Sequence, residues 1–153
     1  MGYIEELRAI IGHKRIILNG SNVIIENSQG QILMQQRTYP HGKWGLPGGL
    51  MELGESTEET GRREIFEETG LTLGKLTLFG VYSGKNYLCT AQNGDEYYAV
   101  ITVYSTDEYS GQISINDESL TLEWVDIDNL PQNIAGTHSE IIRDYINSRG
   151  RFQ

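Results

Sequence analysis

Short runs of branched apolar residues alternate along the chain with polar, glycine-rich connections, and that rhythm predicts most of its elements. Ile4, Leu7 and Ile11 stand at helical spacing, which predicts a short amphipathic helix over residues 2–11. Arg15-Ile16-Ile17-Leu18, Val23-Ile24-Ile25 and Ile32-Leu33-Met34 each predict a strand. Asn27-Ser28-Gln29-Gly30 between the last two is a turn signal, so those two are expected to pair as a hairpin. The stretch from Pro40 to Gly54 is too rich in glycine and proline for a helix. A helix is predicted over residues 57–69, with Ser56 and Glu59 at capping-box spacing and Gly70 as its stop. Residues 73–83, 96–105 and 120–126 predict further strands, the first two joined by a polar loop containing Asn93-Gly94-Asp95. A final helix over residues 139–148 buries Ile141, Ile142, Tyr145 and Ile146. Strands with helices placed early, midway and late predict an α/β fold, a sandwich around a mixed sheet.

The middle helix carries the informative chemistry. Glu64, Glu67 and Glu68 fall at i, i+3 and i+4, so three carboxylates crowd onto one face. Like charges at that spacing repel, and none of the three lies in the first turn, where the helix dipole favours an anion. Standing alone, the triad would read as a solvated acidic face. It does not stand alone. Gly45-Leu46-Pro47-Gly48-Gly49 precedes the helix, and such a loop lets backbone groups approach an ion or a phosphate closely. Arg63 lies beside Glu64 and can hydrogen-bond a carboxylate. A hard cation such as magnesium, held by a few carboxylates together with substrate phosphates, explains the crowding.

Charge and composition narrow the picture. The 153 residues, predicted to form a single domain over 1–153, carry a net charge of -9 without a visible basic patch, which argues against a nucleic-acid polymer as partner. An acidic protein that handles an anionic substrate needs local cations. No apolar run reaches the roughly 20 residues of a membrane span, and the start does not read as a signal peptide. Cys89 is the only cysteine, so neither an internal disulfide nor a thiolate zinc cage is expected, and a cytoplasmic setting follows.

From Gly49 to Leu71 the order is Gly, five residues, Glu, seven residues, Arg-Glu, an aliphatic, one residue, Glu-Glu, one residue, Gly, an aliphatic. Gly49, Glu55, Arg63, Glu64, Ile65, Glu67, Glu68, Gly70 and Leu71 meet every specified position. Seven fixed residues at background frequency match by chance on the order of once in 10⁹ starting points. The chain thus resembles the Nudix, or MutT-like, hydrolase family. Gln35-Gln36-Arg37, Trp44 to Gly49, Glu123-Trp124-Val125 and Leu130-Pro131 extend the resemblance over most of residues 20–131.

The resemblance implies an α/β/α sandwich with a mixed sheet and the box at 49–71 as a loop-helix-loop. It implies water attack on a diphosphate linkage in a nucleoside diphosphate derivative, with Mg2+ or its substitute Mn2+. The Gly48 carbonyl, Glu64, Glu67 and Glu68 would be metal ligands, Arg63 would orient Glu64, Gly49 and Gly70 would support the motif, and Glu55 would support the helix or complete an outer metal shell. Glu64 or Glu118, the latter in a loop before a strand, would act as general base, and Arg37 would contact a phosphate. The alternative is a non-catalytic nucleotide sensor, which would be expected to lose box carboxylates that this chain keeps. ADP-ribose-like compounds and nucleoside triphosphates both stay open as substrates, as does a homodimer. The scattered His13, His41 and His138 read as surface residues, Trp44 and Trp124 as packing, and Gly61 as a helix position costing about 1 kcal/mol relative to alanine.

Overall fold

The computed structural model describes residues 2–150. Helix α1 (Tyr3–Ile11) leads into β1 (Ile16–Ile25), β2 (Ile32–Arg37), β3 (Trp44–Gly45) and β4 (Gly48–Leu50). Then come α2 (Thr57–Thr69), β5 (Thr72–Leu73), β6 (Thr77–Tyr82), a 3-10 turn (Lys85–Tyr87) and β7 (Leu88–Thr90). Strands β8 (Glu96–Thr106), β9 (Tyr109–Ser110) and β10 (Ser119–Val125) precede the last helix, α3 (Gly136–Gly150). The result is the expected mixed α/β architecture. Its main sheet runs β4-β1-β8-β6 with β7 also on β8, and a second sheet runs β10-β2-β3. No helix among the described residues is long and apolar enough to cross a membrane.

Strand β1 is the axis. It pairs in parallel with β8 from Ile16 beside Tyr97 to Ile25 beside Thr106, and antiparallel with β4 from Gly20 to Asn22. Parallel neighbours need a long crossover, and the chain between β1 and β8 contains α2. Both faces of β1 are covered, which is why its apolar residues run on without alternation. Val23 and Ile25 pack with Leu33 and with Ile65 of α2. Ile24 faces the other way, toward Met34 and toward Ile141 and Ile142 of α3. Trp44 packs against this second cluster.

Two expectations about this region need correction. The predicted strands at 15–18 and 23–25 are one strand, because the polar Asn19-Gly20-Ser21 between them continues it and meets β4. The predicted hairpin does not form as a ladder. Apart from a single bridge between Glu26 and Ile32, β2 leaves β1 and pairs with β10 and β3. The turn itself closes as expected, with the Asn27 N–H donating to the Gln31 carbonyl at 2.9 Å. Since residues 23–25 and 32–34 are buried on both faces, their apolar pattern specifies strands without specifying neighbours. The predicted strand 73–83 likewise divides, β5 going to β9 and β6 to β8.

Candidate active site

Helix α2 begins as its sequence predicts. The Glu59 N–H donates to Ser56 Oγ at 3.0 Å and the Ser56 N–H donates to Glu59 Oε1 at 3.1 Å, completing the capping box. Gly70 ends the helix in the left-handed conformation at φ 80°, its N–H donating to the Phe66 carbonyl. Ser21 of β1 adds a bond from its Oγ to the Thr57 carbonyl at 2.7 Å, so the polar break in β1 seats the first turn of α2. Gly61 lets the helix lie close on β1, for a Cβ there would stand 3.2 Å from Val23 Cγ2. Its intrinsic cost in a helix is therefore set against a close helix–strand approach.

The buried side of α2 carries Thr60, Gly61, Ile65, Glu68 and Thr69. Glu68 is the anomaly, a carboxyl only 3% exposed where an apolar residue belongs. It accepts from the Gly48 N–H at 3.1 Å, which ties the glycine strand β4 to the helix. Its pKa is pushed up to about 9, first by burial and then by the charge of Glu64, with the Gly48 bond and Arg37 only partly offsetting. Glu64 is also raised, by burial first, against the pull of Arg63. Glu118 adds like charge to both.

Arg63 organises the rest of the acidic face. It donates to Glu55 from Nε at 2.6 Å and Nη2 at 2.9 Å, to Glu64 at 2.8 Å, and to Glu67 at 3.2 Å. A further bond from Nη2 to the Leu50 carbonyl, 3.1 Å, joins the helix to β4. Glu55, whose pKa falls to about 2 chiefly through Arg63, also accepts from the Glu52 N–H and Thr60 Oγ1.

A cleft of about 440 Å³ opens between β4, α2 and the loop before β10, lined by Gly48, Gly49, Glu64, Glu68, Glu118 and Arg37. The structure therefore gathers most of the residues singled out from sequence. Among the expected metal ligands Glu67 is the exception: its side chain is 53% exposed, paired to Arg63 and outside the cleft lining, as are the supporting Arg63, Glu55 and Gly70. A second cavity of about 540 Å³ adjoins, sharing Arg37, Gly48 and Gly49 and floored by Tyr97, Ala99 and Ile101.

Several contributors were not visible in the sequence. Asn22 holds the glycine loop by bonds from Nδ2 to the Leu46 and Pro47 carbonyls. Gln35, buried, donates to Ser119 Oγ at 2.6 Å and lines the cleft, as does Glu52. His138 corrects the surface reading of the histidines: it is 5% exposed and accepts from the Leu46 N–H. Only contacts between segments apart in sequence, with the loop after β3, with β10 and with α3, reveal these roles.

Gly49 has a strict requirement. A Cβ there would stand 2.6 Å from both Glu64 carboxylate oxygens. Gly49→Ala is expected to displace the Glu64 carboxylate and lower kcat/KM by about 10²-fold, the loss associated with a misplacement of about 1 Å. Steady-state kinetics checks this beside a circular dichroism spectrum matching wild type. Full activity would mean that Glu64 does not need its observed position.

The structure is a mixed α/β sandwich whose loop-helix-loop brings the buried Glu68 and the half-buried Glu64 into one cleft, and comparison with known proteins identifies the class. The NUDIX domain model matches residues 18–145. An ADP-ribose pyrophosphatase of Methanocaldococcus jannaschii is 33% identical over 135 residues, 88% of this chain and 74% of that protein. An oxidized purine nucleoside triphosphate hydrolase of Danio rerio is 32% identical over 104 residues, 67% of this chain and 62% of that one. The crystal structure of a MutT NUDIX hydrolase from Burkholderia pseudomallei superposes with a TM-score of 0.72 at 30% identity, covering 83% of this chain and 96% of that one. The chain belongs to the Nudix family and is an enzyme of it.

Members of this family generally use divalent cations, and the donor set here fits one. Glu64 and Glu68 are partly or wholly desolvated carboxylates with too little positive charge around them, a state that a hard cation relieves. Among the described residues no three acidic, histidine or cysteine side chains converge as a complete cage. Magnesium does not require one, since it is usually held by one or two carboxylates with waters and substrate phosphates.

Proposed function

We propose that the protein hydrolyses a diphosphate linkage in a nucleoside diphosphate derivative with Mg2+, for which Mn2+ can substitute. The observation that carries this reading is the buried Glu68 carboxyl, held beside Glu64 and Gly48 at the floor of an acidic cleft. Glu64, Glu68 and the Gly48 carbonyl would hold the ion, and Glu67, which here turns to solvent and Arg63, would join them only by swinging its side chain toward the cleft. When bound there, the ion would supply positive charge against the diphosphate and lower the pKa of a water molecule.

The chain's own residues do the rest. Arg63 keeps Glu64 in place while Glu55 keeps Arg63 in place, so the pair forms a rigid support for the carboxylate. Arg37 is the one cationic side chain lining the cleft among the described residues, and it would receive a phosphate oxygen. Glu64 or Glu118 would take the proton of the attacking water. The adjoining cavity would hold the nucleoside, with Tyr97 as an aromatic wall. Two cavities meeting at Gly48 and Gly49 suit a substrate with bulk on one side of its diphosphate, and the relative from M. jannaschii is named for ADP-ribose. ADP-ribose is thus the first substrate to try. A cytoplasmic setting is part of the same reading.

The test is release of mononucleotide from a panel of ADP-ribose, other nucleoside diphosphate derivatives and nucleoside triphosphates, with magnesium or with chelator. Turnover of at least one, lost with chelator, is expected. Binding without turnover across the panel would turn the reading toward a nucleotide sensor.

A further inference from the structure

Of the three histidines only His138 is buried, and one bond determines the state of its ring. The Leu46 N–H donates to its Nδ1 at 2.8 Å. A ring nitrogen that accepts carries no proton, so the proton of the neutral imidazole sits on Nε2. Burial, with the Arg37 cation beside it, holds the ring neutral and its pKa down to about 3.

Nε2 faces Arg37 Nη2 at 3.3 Å. A guanidinium has no acceptor, so this contact sets one donor against another. Arg37 Nη2 also reaches the Leu46 carbonyl, at a long 3.4 Å. Arg37 Nε, shielded from solvent, likewise has no hydrogen-bond partner among the described residues. The Arg37 Nη2 and His138 Nε2–H groups thus face each other with one marginal acceptor, the Leu46 carbonyl, near Nη2 alone. Buried polar groups are nearly always paired, and a cluster left short on one side points to a partner that arrives from outside.

The position says what arrives. Arg37 and His138 both line the larger cavity, and Arg37 lines the acidic cleft as well. The cluster stands where the two meet, and its guanidinium is the only arginine or lysine charge lining either cavity among the described residues. We propose that His138 is a substrate-binding residue whose Nε2–H, together with the Arg37 guanidinium, receives one anionic phosphate oxygen on the larger-cavity side of Gly48. The proposal rests on the reading above that Arg37 meets a phosphate, and it adds a second donor whose direction is set by a backbone N–H. One ring then does two jobs: it anchors the loop that leads to Gly48 and Gly49, and it completes the phosphate seat.

The test is equilibrium binding of AMP and of adenosine, in chelator, to wild type, His138→Phe and His138→Gln. Loss of a hydrogen bond to a charged group is expected to weaken AMP by about 10- to 100-fold in His138→Phe. Adenosine affinity should hold, and His138→Gln, which restores an N–H donor, should recover much of the loss. Nitrogen-15 spectra of the wild-type imidazole should show the proton on Nε2, with that resonance moving when AMP is added. The proposal is overturned by a proton on Nδ1, by an unmoved Nε2 signal, by AMP and adenosine weakening in parallel, or by wild type failing to bind AMP. None of these measurements needs magnesium or turnover. A protein that binds AMP in this way but hydrolyses nothing would sink the proposed function and leave the seat standing.

Discussion

Glu68→Gln is expected to lower kcat by roughly 10³-fold, the scale of charge stabilisation a catalytic ion supplies, while the fold survives. Glutamine keeps the size of the side chain and still offers an oxygen to the Gly48 N–H, 3.1 Å away in the wild type. What it removes is a hard anionic ligand. The same variant should behave differently without metal. Because the folded protein raises the Glu68 pKa to about 9 from an ordinary 4.5, the carboxyl binds its proton more tightly folded than unfolded. Its favourable contribution is full below about pH 4.5 and is lost as pH rises toward 9. In chelator, wild-type Tm should therefore fall across that window more steeply than the Tm of Glu68→Gln. Magnesium should raise the wild-type Tm by linkage and raise the variant's less. Retained activity at saturating magnesium, with equal metal response in both proteins, would remove Glu68 from the site.

Glu118→Gln is expected to lower kcat by about 10²–10⁴-fold, the usual worth of a general base, with little change in magnesium affinity. Its loop is held for such a task. The Glu118 N–H donates to Asn116 Oδ1 at 3.0 Å, and its carbonyl accepts from the Thr38 N–H at 3.1 Å. Asn116 Nδ2 reaches the Glu67 carbonyl at 3.1 Å, tying the loop to α2. The side chain lines the same cleft as Glu64 and Glu68 and is close enough to raise the pKa of both. A catalytic group on a loop held by a rigid sheet and helix suits this role. A pH–rate profile separates it from Glu64: loss of the acidic limb in Glu118→Gln identifies Glu118 as the base. A wild-type rate with an unaltered acidic limb makes Glu118 a bystander and leaves proton transfer within the box.

What the amino-acid order determined by itself was local. Ser56 and Glu59 lie three residues apart, and the capping box they form needs nothing beyond the first turn of α2. Gly70 ends that helix because only its own backbone has to turn left-handed. The spacing of Glu64, Glu67 and Glu68 put three carboxylates on one helical face before any tertiary contact was known. The family signature rests on the same short-range order.

Which of those carboxylates faces inward was decided by packing. Gly61, Ile65 and Glu68 turn toward β1 and the cleft, while Glu67 turns to solvent and Arg63, a difference of only one residue position. Strand partners were equally out of reach. Val23-Ile24-Ile25 and Ile32-Leu33-Met34 read as a hairpin, yet β1 takes β4 and β8 while β2 takes β10, because residues covered on both faces announce no preferred neighbour. His138 showed the greatest distance between reading and outcome. Its neighbours in sequence are polar and small, and its burial comes from Leu46 and Arg37, some 92 and 101 residues away. Helix periodicity and capping act over three or four residues, whereas burial and pairing are settled by contacts that exist only once distant segments of the chain have met.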